Sequence, residues 1–363
     1  MLEFFIHKKF LLLIYSCYQE FSCIKRRAPL KARFSLKNLL LLVVGVLLLI
    51  FFLLTASDLQ VVLSYVTLAR KTVYCLAFFS LILGVIAYTA SWYVIARAAK
   101  LNLSFNFALA TTWSSIFFNI TTPTASVGGE IARIYFVNRK NGGDYGTITA
   151  TVFLHRFACT LPFLTGSMVG LIYIVKFYKI SLILLQGLMI ILAITAIILT
   201  FILILYIKPS VISTLIFKLT GFLSKKQKKF ENISRKLQDV VLRFEESFKL
   251  LKSRRKILIL SVSLAFISWI FDVAVAYFVF LSLNYPLSFS IIIFVYTIGM
   301  TIQMLPVGIP GMIGVVETVM STLYTVMGVP PNLSVAATLM IRMVMLWFQA
   351  TLGGLFTLIL QKR

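Results

Sequence analysis

The chain has 363 residues, of which 60% are hydrophobic and only 13% charged, and its mean hydropathy is +0.98. Soluble globular proteins are about one quarter charged, so this composition excludes a cytosolic enzyme, a disordered chain and a secreted disulfide scaffold. The four cysteines are scattered without zinc-type pairs, which predicts no metal site, no disulfide framework and no cofactor. The composition predicts an all-α polytopic membrane protein.

The formal net charge of +24 is concentrated in two stretches, 1–37 and 208–256, and both lie beside long apolar segments. Positive charge beside membrane spans is typical of cytoplasmic loops held against an anionic leaflet. We therefore expect a multi-pass protein of the cell membrane with both termini in the cytoplasm. The charge is explained without a nucleic-acid partner.

Runs free of charged residues locate the spans, because a membrane helix needs about 20 apolar residues. Basic loops lie on the cytoplasmic side of the membrane, so they indicate which end of each span is cytoplasmic. With this orientation, each of the stretches 101–138 and 288–328 begins and ends on one side of the membrane. The pattern therefore predicts six full spans and two re-entrant helical hairpins, one entering from each face. The predicted spans are 38–56, 73–96, 147–175, 180–207, 257–283 and 334–360.

The same pattern divides the chain into four parts. A basic cytoplasmic segment, 1–37, precedes a first membrane half at 38–207. A cytoplasmic amphipathic basic loop, 208–256, then leads to a second membrane half at 257–363. Because the second half repeats the order span, hairpin, span with opposite orientation, the sequence predicts an inverted repeat, the architecture of alternating-access transporters.

Helix breakers mark the middle of each predicted hairpin. Proline cannot continue a helix and glycine weakens one, so the first hairpin is expected to turn between Pro123 and Gly129. The second is expected to turn between Pro306 and Gly314. Non-helical backbone inside a membrane is tolerated only where it is buried in protein or lines a cavity.

Within the basic loop, apolar residues recur every three or four positions from Ile233 to Leu251 and form one helical face. The opposite face is rich in lysine and arginine. This pattern favours an amphipathic helix that lies on the membrane surface, preceded by a second apolar-faced piece at 211–223. A helix that packs on a cytosolic partner is the alternative.

Charged residues inside spans are costly and usually functional. In each half a Pro/Gly break is followed by a glutamate near a helix start, Glu130 or Glu317, and then by an arginine, Arg156 or Arg342. We expect each glutamate to face its arginine and both pairs to line one central cavity, although a glutamate that only caps its own helix is the alternative. The predicted substrate-binding residues are Pro123, Gly128, Gly129, Glu130, Arg133, His155, Arg156, Asp272, Pro310, Gly311, Gly314, Glu317 and Arg342.

Three stretches resemble a known family. They are Pro-x4-Gly-Gly-Glu-x2-Arg at 123–133, Pro-Gly-x2-Gly-x2-Glu at 310–317, and the ending with Arg342, Trp347 and Gly353-Gly354. They resemble the flippase-like family named for the transmembrane region of lysylphosphatidylglycerol synthase. The resemblance implies that a phospholipid or polyprenyl-linked lipid moves between leaflets, with membrane lipids, either anionic phospholipids or lipid-linked substrates, as partners.

Other functions stay open from the residues alone. Glu130, His155 and Glu317 are titratable, which fits a proton-coupled transporter of a small solute. An accessory membrane subunit of a lipid-modifying or glycosylation pathway is a further alternative. Because the sequence has no Ser/His/Asp set, no His-Glu-x2-His motif and no Walker loop, we expect no enzyme activity. A homo-oligomer is left open.

Overall fold

The computed structural model describes residues 36–122, 127–142, 144–177, 231–303 and 309–362, together with isolated positions between 182 and 214. Throughout these residues the regular structure is helical, with no strand. The expectations for 1–35, for most of the predicted span at 180–207 and for nearly all of 211–223 lie outside the described residues.

The helices begin and end close to the predicted apolar runs. A 3-10 turn, Pro310–Met312, precedes the helix that begins at Val315, and a π-helical segment, Met343–Phe348, directly follows the helix that ends at Arg342. In chain order the helices are α1 (Leu36–Ala56), α2 (Leu59–Leu68), α3 (Lys71–Ala98), α4 (Phe105–Thr121), α5 (Gly128–Asn141), α6 (Tyr145–Phe177), α7 (Glu231–Ser253), α8 (Arg255–Ser282), α9 (Phe289–Gln303), α10 (Val315–Val326), α11 (Pro331–Arg342) and α12 (Gln349–Lys362).

Four of the described helices are long and apolar enough to cross a membrane, namely α3, α6, α8 and the continuous helix Pro331–Lys362. A further apolar pair, Val43–Thr55 with Leu59–Leu68, is bent by 95°. Asp58 stands at this bend and caps α2 by accepting the N–H of Gln60. The all-helical polytopic fold is confirmed, while the six crossings and the re-entrant position of the hairpins stay predictions.

The two halves correspond helix for helix. The helices α3, α4, α5 and α6 have 28, 17, 14 and 33 residues, and α8, α9, α10 and the Pro331–Lys362 helix have 28, 15, 12 and 32. The second set starts at 255, 289, 315 and 331, which is 184 to 187 residues after the first set at 71, 105, 128 and 145. A repeated unit requires this correspondence.

The two halves meet along α3 and α8, which pack in opposite directions. The Ser91 hydroxyl donates to the Ser261 carbonyl at 2.8 Å, and the Ser268 hydroxyl donates to the Gly84 carbonyl at 2.9 Å. Small residues let helix backbones approach closely, and such interhelical hydrogen bonds contribute about 0.6 kcal/mol each in a membrane protein. The opposite direction of these two equivalent helices is what an inverted repeat requires.

Both predicted hairpins are interrupted at their glycines and prolines. The helix α5 begins at Gly128 and α10 begins at Val315, each directly after the break. Gly129 is required by a close approach, because a Cβ at this position would overlap the Ser115 carbonyl of α4. The expected helix breaks are confirmed, because α4 ends at Thr121 and α9 ends at Gln303 before the next helix begins. Residues 123–126 and 304–308, which include Pro123, lie outside the described residues.

The amphipathic helix α7 packs on the bundle through its apolar face. Phe244 and Phe248 are 6% and 0% exposed, and they cluster with Ala150 and Leu154 of α6. These apolar residues were expected to contact lipid, and they contact α6 instead; the position of α7 at the membrane surface stays a prediction. Burial against α6 removes the same apolar area from water, so protein takes the place that lipid was expected to fill.

An additional helix directly precedes the first long helix in both halves. The helix α2 ends just before α3, and α7 ends just before α8. Their packing also corresponds, because α7 lies against the start of α6 while α2 lies against the start of α11, with Val62 packed on Val335 and Ala336. The repeat therefore extends one helix further than the sequence indicated.

Candidate functional site

A buried ion pair joins the elements at the break of the second half. The Nε atom of Arg342 lies 2.6 Å from Oε1 of Glu317, and the two side chains are 2% and 4% exposed. The same guanidinium donates to the Gly311 carbonyl at 2.6 Å and to Gln303 Oε1 at 3.2 Å. One side chain thus links α11, the end of α9 and the turn before α10.

Glu317 also caps its own helix. Its Oε2 atom accepts the backbone N–H of Gly314 at 2.7 Å. Gly314 has φ 84°, a conformation that glycine adopts without a steric cost. The capping role considered from the sequence is therefore correct for Glu317, whose Oε2 atom stabilises the start of α10 while its Oε1 atom binds Arg342.

The counterpart pair in the first half is looser and more exposed. Arg156 Nη1 lies 3.4 Å from Glu130 Oε1, and the side chains are 29% and 16% exposed. Glu130 Oε2 also accepts a hydrogen bond from the Ser115 hydroxyl at 3.4 Å. Exposed ion pairs contribute at most about 1 kcal/mol, so this contact opens at a smaller cost than the Glu317–Arg342 pair.

Arg133 lies next to this pair, between two aromatic rings. Its guanidinium carbon is 4.8 Å from the centre of the Trp92 ring and 5.6 Å from that of Tyr88, distances typical of cation–π contacts. Its Nη1 atom lies 3.1 Å from His155 Nδ1. Because a guanidinium only donates, Nδ1 is the acceptor, and the imidazole proton is assigned to Nε2, which faces the Tyr88 carbonyl at 3.1 Å. Arg133 and His155 therefore orient each other.

A cavity of about 180 Å³ lies between the two halves. The helices α3, α4 and α6 form its wall on the side of the first half, and α8, α9 and the π-helical segment form the wall on the side of the second half. Its charged lining residues are Arg156 and Asp272, one from each half. The uncharged polar side chains of its lining include Asn119, Thr160, Ser268, Gln303 and Gln349.

The predicted site residues are distributed around this cavity rather than gathered in its wall. Arg342 and Glu317 do not line it, so this cavity is not lined by both pairs as expected. Arg342 is instead held in the turn between α9 and α10, which Pro310, Gly311 and Gly314 form. In the first half, Arg133 shares the Ser115 hydroxyl with Glu130 and contacts His155. Gly128 and Gly129 directly precede Glu130 at the start of α5.

The sequence analysis selected candidate site residues mainly by their charge and therefore missed the amide side chains that line the cavity. Asn119, Gln303 and Gln349 lie in long apolar runs. An amide in such a run is a detectable signal, because a polar group in a membrane needs a partner or a water-filled cavity. Asn119 has a further role, since its Oδ1 atom accepts the Gly129 N–H at 2.7 Å and ties the cavity wall to the start of α5.

Comparison with known proteins identifies the family. A family model described as the lysylphosphatidylglycerol synthase TM region matches residues 38–353. The chain belongs to this family. The resemblance found in its two glutamate motifs is thereby confirmed, and so is its nature as a helical membrane protein.

Several UPF0104 membrane proteins are similar to this chain. The UPF0104 membrane protein PH1989 of Pyrococcus horikoshii is 29% identical over 333 residues, which cover 89% of this chain and 97% of that protein. A UPF0104 membrane protein of Methanothermobacter thermautotrophicus is 26% identical over 271 residues, 73% of this chain and 79% of its own length. MJ1595 of Methanocaldococcus jannaschii is 25% identical over 290 residues, 79% and 84% of the two chains. No solved structure matches the chain.

Proposed function

We propose that this family member moves a phospholipid or polyprenyl-linked lipid between the membrane leaflets, with the headgroup passing through the cavity between the two halves. The observation that carries the proposal is a partly exposed arginine, Arg156, in a cavity whose wall comes from both halves and includes several uncharged polar side chains. Arginine binds phosphate through two parallel N–H bonds. Phosphate is the chemistry that these two lipid classes share.

The loose contact of Arg156 with Glu130 supports an exchange of partners during transport. A phosphate that binds Arg156 competes with the Glu130 carboxylate for the same donors. The Ser115 hydroxyl lies 3.4 Å from Glu130 Oε2 and 3.4 Å from Arg133 Nη2. A displaced carboxylate therefore has Ser115 and the nearby positive charge of Arg133 as partners, and we propose this exchange as the gate.

The repeat supports alternating access to the cavity. In transporters built from inverted repeats, one half rocks against the other around a site near the bilayer midplane. The antiparallel α3–α8 contact supplies the seam between the halves. We further propose that the hairpins α4–α5 and α9–α10 enter the membrane from opposite faces, with both chain termini in the cytoplasm.

Reconstitution into vesicles tests the proposal. The vesicles contain phospholipids with a fluorescent acyl chain and different natural headgroups, and dithionite added outside quenches the outer leaflet. Lipid movement predicts that quenching proceeds beyond the outer-leaflet fraction much faster than in protein-free vesicles. Movement no faster than in empty vesicles for every headgroup would show that the proposed function is wrong.

Two arginine variants test whether the lipid headgroup passes through the cavity. Arg156→Gln removes the phosphate donor and is expected to abolish lipid movement while leaving the protein folded, because the lost ion pair is partly exposed. Arg243→Gln is the matched control, since Arg243 lies on α7 outside the cavity and its side chain is 54% exposed. Equal rates for the two variants would contradict a role for Arg156.

A further inference from the structure

The cavity wall contains a carboxylate from the second half of the repeat. Asp272 of α8 is a lining residue, and among the described residues its side chain has no hydrogen-bond donor and no basic partner. The other charged lining residue, Arg156, is already paired with Glu130. Arg133 shares the Ser115 hydroxyl with Glu130, so the charges of the two arginines and two carboxylates in and beside the cavity balance in number. Within the part of the chain that the structure describes, Asp272 nevertheless has no basic side chain in contact, and a carboxylate without a partner away from bulk water is costly.

The backbone around Asp272 leaves room for this carboxylate. A Cβ on Gly84 of α3 would lie 2.9 Å from Asp272 Oδ1. Gly84 also accepts the hydrogen bond from Ser268 that crosses the seam between the halves. The carboxylate thus lies against Gly84, where a larger residue would displace it.

Aromatic side chains line the same cavity. Tyr88, Trp269 and Tyr296 come from α3, α8 and α9. The faces of aromatic rings attract cations, most strongly where water is excluded. A carboxylate with aromatic neighbours is a combination that suits an organic ammonium group.

The kind of cation follows from the ligand set. Over the part of the chain that the structure describes, no group of three or more histidine, cysteine, aspartate or glutamate side chains lies together in a way that would hold a metal ion. Divalent cations in proteins require several oxygen or nitrogen ligands. One carboxylate among aromatic rings instead matches a monovalent ammonium.

We infer that Asp272 binds the ammonium of a zwitterionic headgroup whose phosphate binds Arg156. This inference rests on the proposed function, since it names the substrate class of the same cavity. The two charged groups come from opposite halves of the repeat, so one headgroup bridges both halves. A phosphoethanolamine-type headgroup carries both charges, whereas a phosphoglycerol headgroup carries the phosphate alone.

Lipid retention by the purified full-length protein tests the inference without requiring transport. The protein in detergent is equilibrated with equal amounts of phosphatidylethanolamine and phosphatidylglycerol that have identical acyl chains, and retained lipid is counted by native mass spectrometry. We expect about a tenfold preference for phosphatidylethanolamine, the effect of one hydrogen bond to a charged group. Asp272→Asn should bring the ratio close to one, and Asp272→Glu should restore part of it.

Two further variants keep the test decisive. Asp239→Asn removes an exposed carboxylate on α7 that pairs with Arg243, so it changes the net charge equally and should leave the preference intact. Gly84→Ala keeps the Asp272 carboxylate but displaces it, and should lower the preference. If Asp272→Asn does not give monodisperse protein, Gly84→Ala carries the comparison.

The possible outcomes separate this inference from the proposed function. Equal retention of the two lipids by the wild-type protein, or an unchanged preference in both Asp272→Asn and Gly84→Ala, would overturn the ammonium site. Lipid movement in vesicles without a preference for ethanolamine headgroups would support the proposed function and contradict the ammonium site. Displacement of bound lipid by O-phosphoethanolamine but not by glycerol 3-phosphate, lost in Asp272→Asn, would support the site and add a water-soluble source of the ligand.

Discussion

The Arg342 Nε atom lies 2.6 Å from the Glu317 carboxylate, whereas the equivalent pair, Arg156 and Glu130, is separated by 3.4 Å. The Glu317–Arg342 pair is almost completely buried and its arginine also binds the Gly311 carbonyl. The Glu130–Arg156 pair is partly exposed, and its arginine lines the cavity. Two ion pairs at matching places in the two halves therefore differ. The Glu317–Arg342 pair holds its turn in place, whereas the Glu130–Arg156 pair is a weaker contact that another ligand of Arg156 can replace.

The buried pair predicts a large stability difference. Glu317→Gln or Arg342→Gln leaves one charge without its partner in a buried site, which costs about 3–5 kcal/mol. We expect both variants to lower the melting temperature of the detergent-solubilised protein strongly, measured by intrinsic fluorescence. Glu130→Gln is the matched control and should change stability far less. Similar losses for Glu130→Gln and Glu317→Gln would contradict the difference in burial.

An exchange of the two residues separates a simple ion pair from the observed network. The double variant with Glu317→Arg and Arg342→Glu keeps both charges. It should nevertheless remain unstable, because a glutamate at 342 cannot donate to the Gly311 carbonyl and an arginine at 317 cannot accept the Gly314 N–H. Full recovery of the melting temperature would show that charge pairing alone holds this turn.

Two neighbouring glycines of α12 offer a matched pair of substitutions. A Cβ on Gly353 would lie 2.5 Å from the Trp113 carbonyl of α4, whereas the nearest atom to a Cβ on Gly354 is at an ordinary 3.4 Å. Gly353→Ala should therefore destabilise the protein by about 1–3 kcal/mol, as overpacking does. Gly354→Ala should be close to neutral in the same thermal unfolding measurement. The reverse order would refute the close approach of α4 and α12.

The packing of α7 predicts a contrast between two of its apolar residues. Phe248 is 0% exposed and Leu250 is 50% exposed. Phe248→Ala opens a cavity against α6 and should cost about 3–5 kcal/mol. Leu250→Ala should change the unfolding free energy little, because it faces away from the bundle. If the two variants unfold alike, the apolar face is not held by protein.

Cysteine labelling tests the topology that the hairpins require. On a background without the four native cysteines, a cysteine at Lys140 or Lys249 should be protected from an impermeant thiol reagent in intact cells. A cysteine at Pro331 should be labelled, because it begins the helix that is expected to start outside. Permeabilised cells, in which all three positions should react, supply the control. Labelling of the cysteine at position 140 in intact cells would contradict the first re-entrant hairpin and would indicate that this stretch crosses the membrane in the ordinary way.

Much of the fold follows from local features of the sequence. The apolar runs located α3, α6 and α8 to within a few residues, since a long uncharged run has no stable alternative to a helix in lipid. The glycine and proline clusters located the breaks. The similar spacing of glutamate and arginine in the two halves, 26 and 25 residues, predicted both ion pairs. The packing partner of a helix was harder to predict from the sequence. The apolar face of α7 has the same residue pattern whether lipid or α6 covers it.

The sequence by itself determined that this is a helical membrane protein of two similar halves, each with a broken segment that starts a helix at a glutamate. Only the tertiary structure decided what each charge does. Glu317 and Arg342 are held by donors and acceptors brought together from α9, α10 and α11, while Arg156 and Asp272 meet one cavity from opposite halves. The reason is physical: spacing along a chain fixes which residues share a helix face, but the burial and partners of a charge depend on helices that are distant in sequence and packed together only in the folded protein.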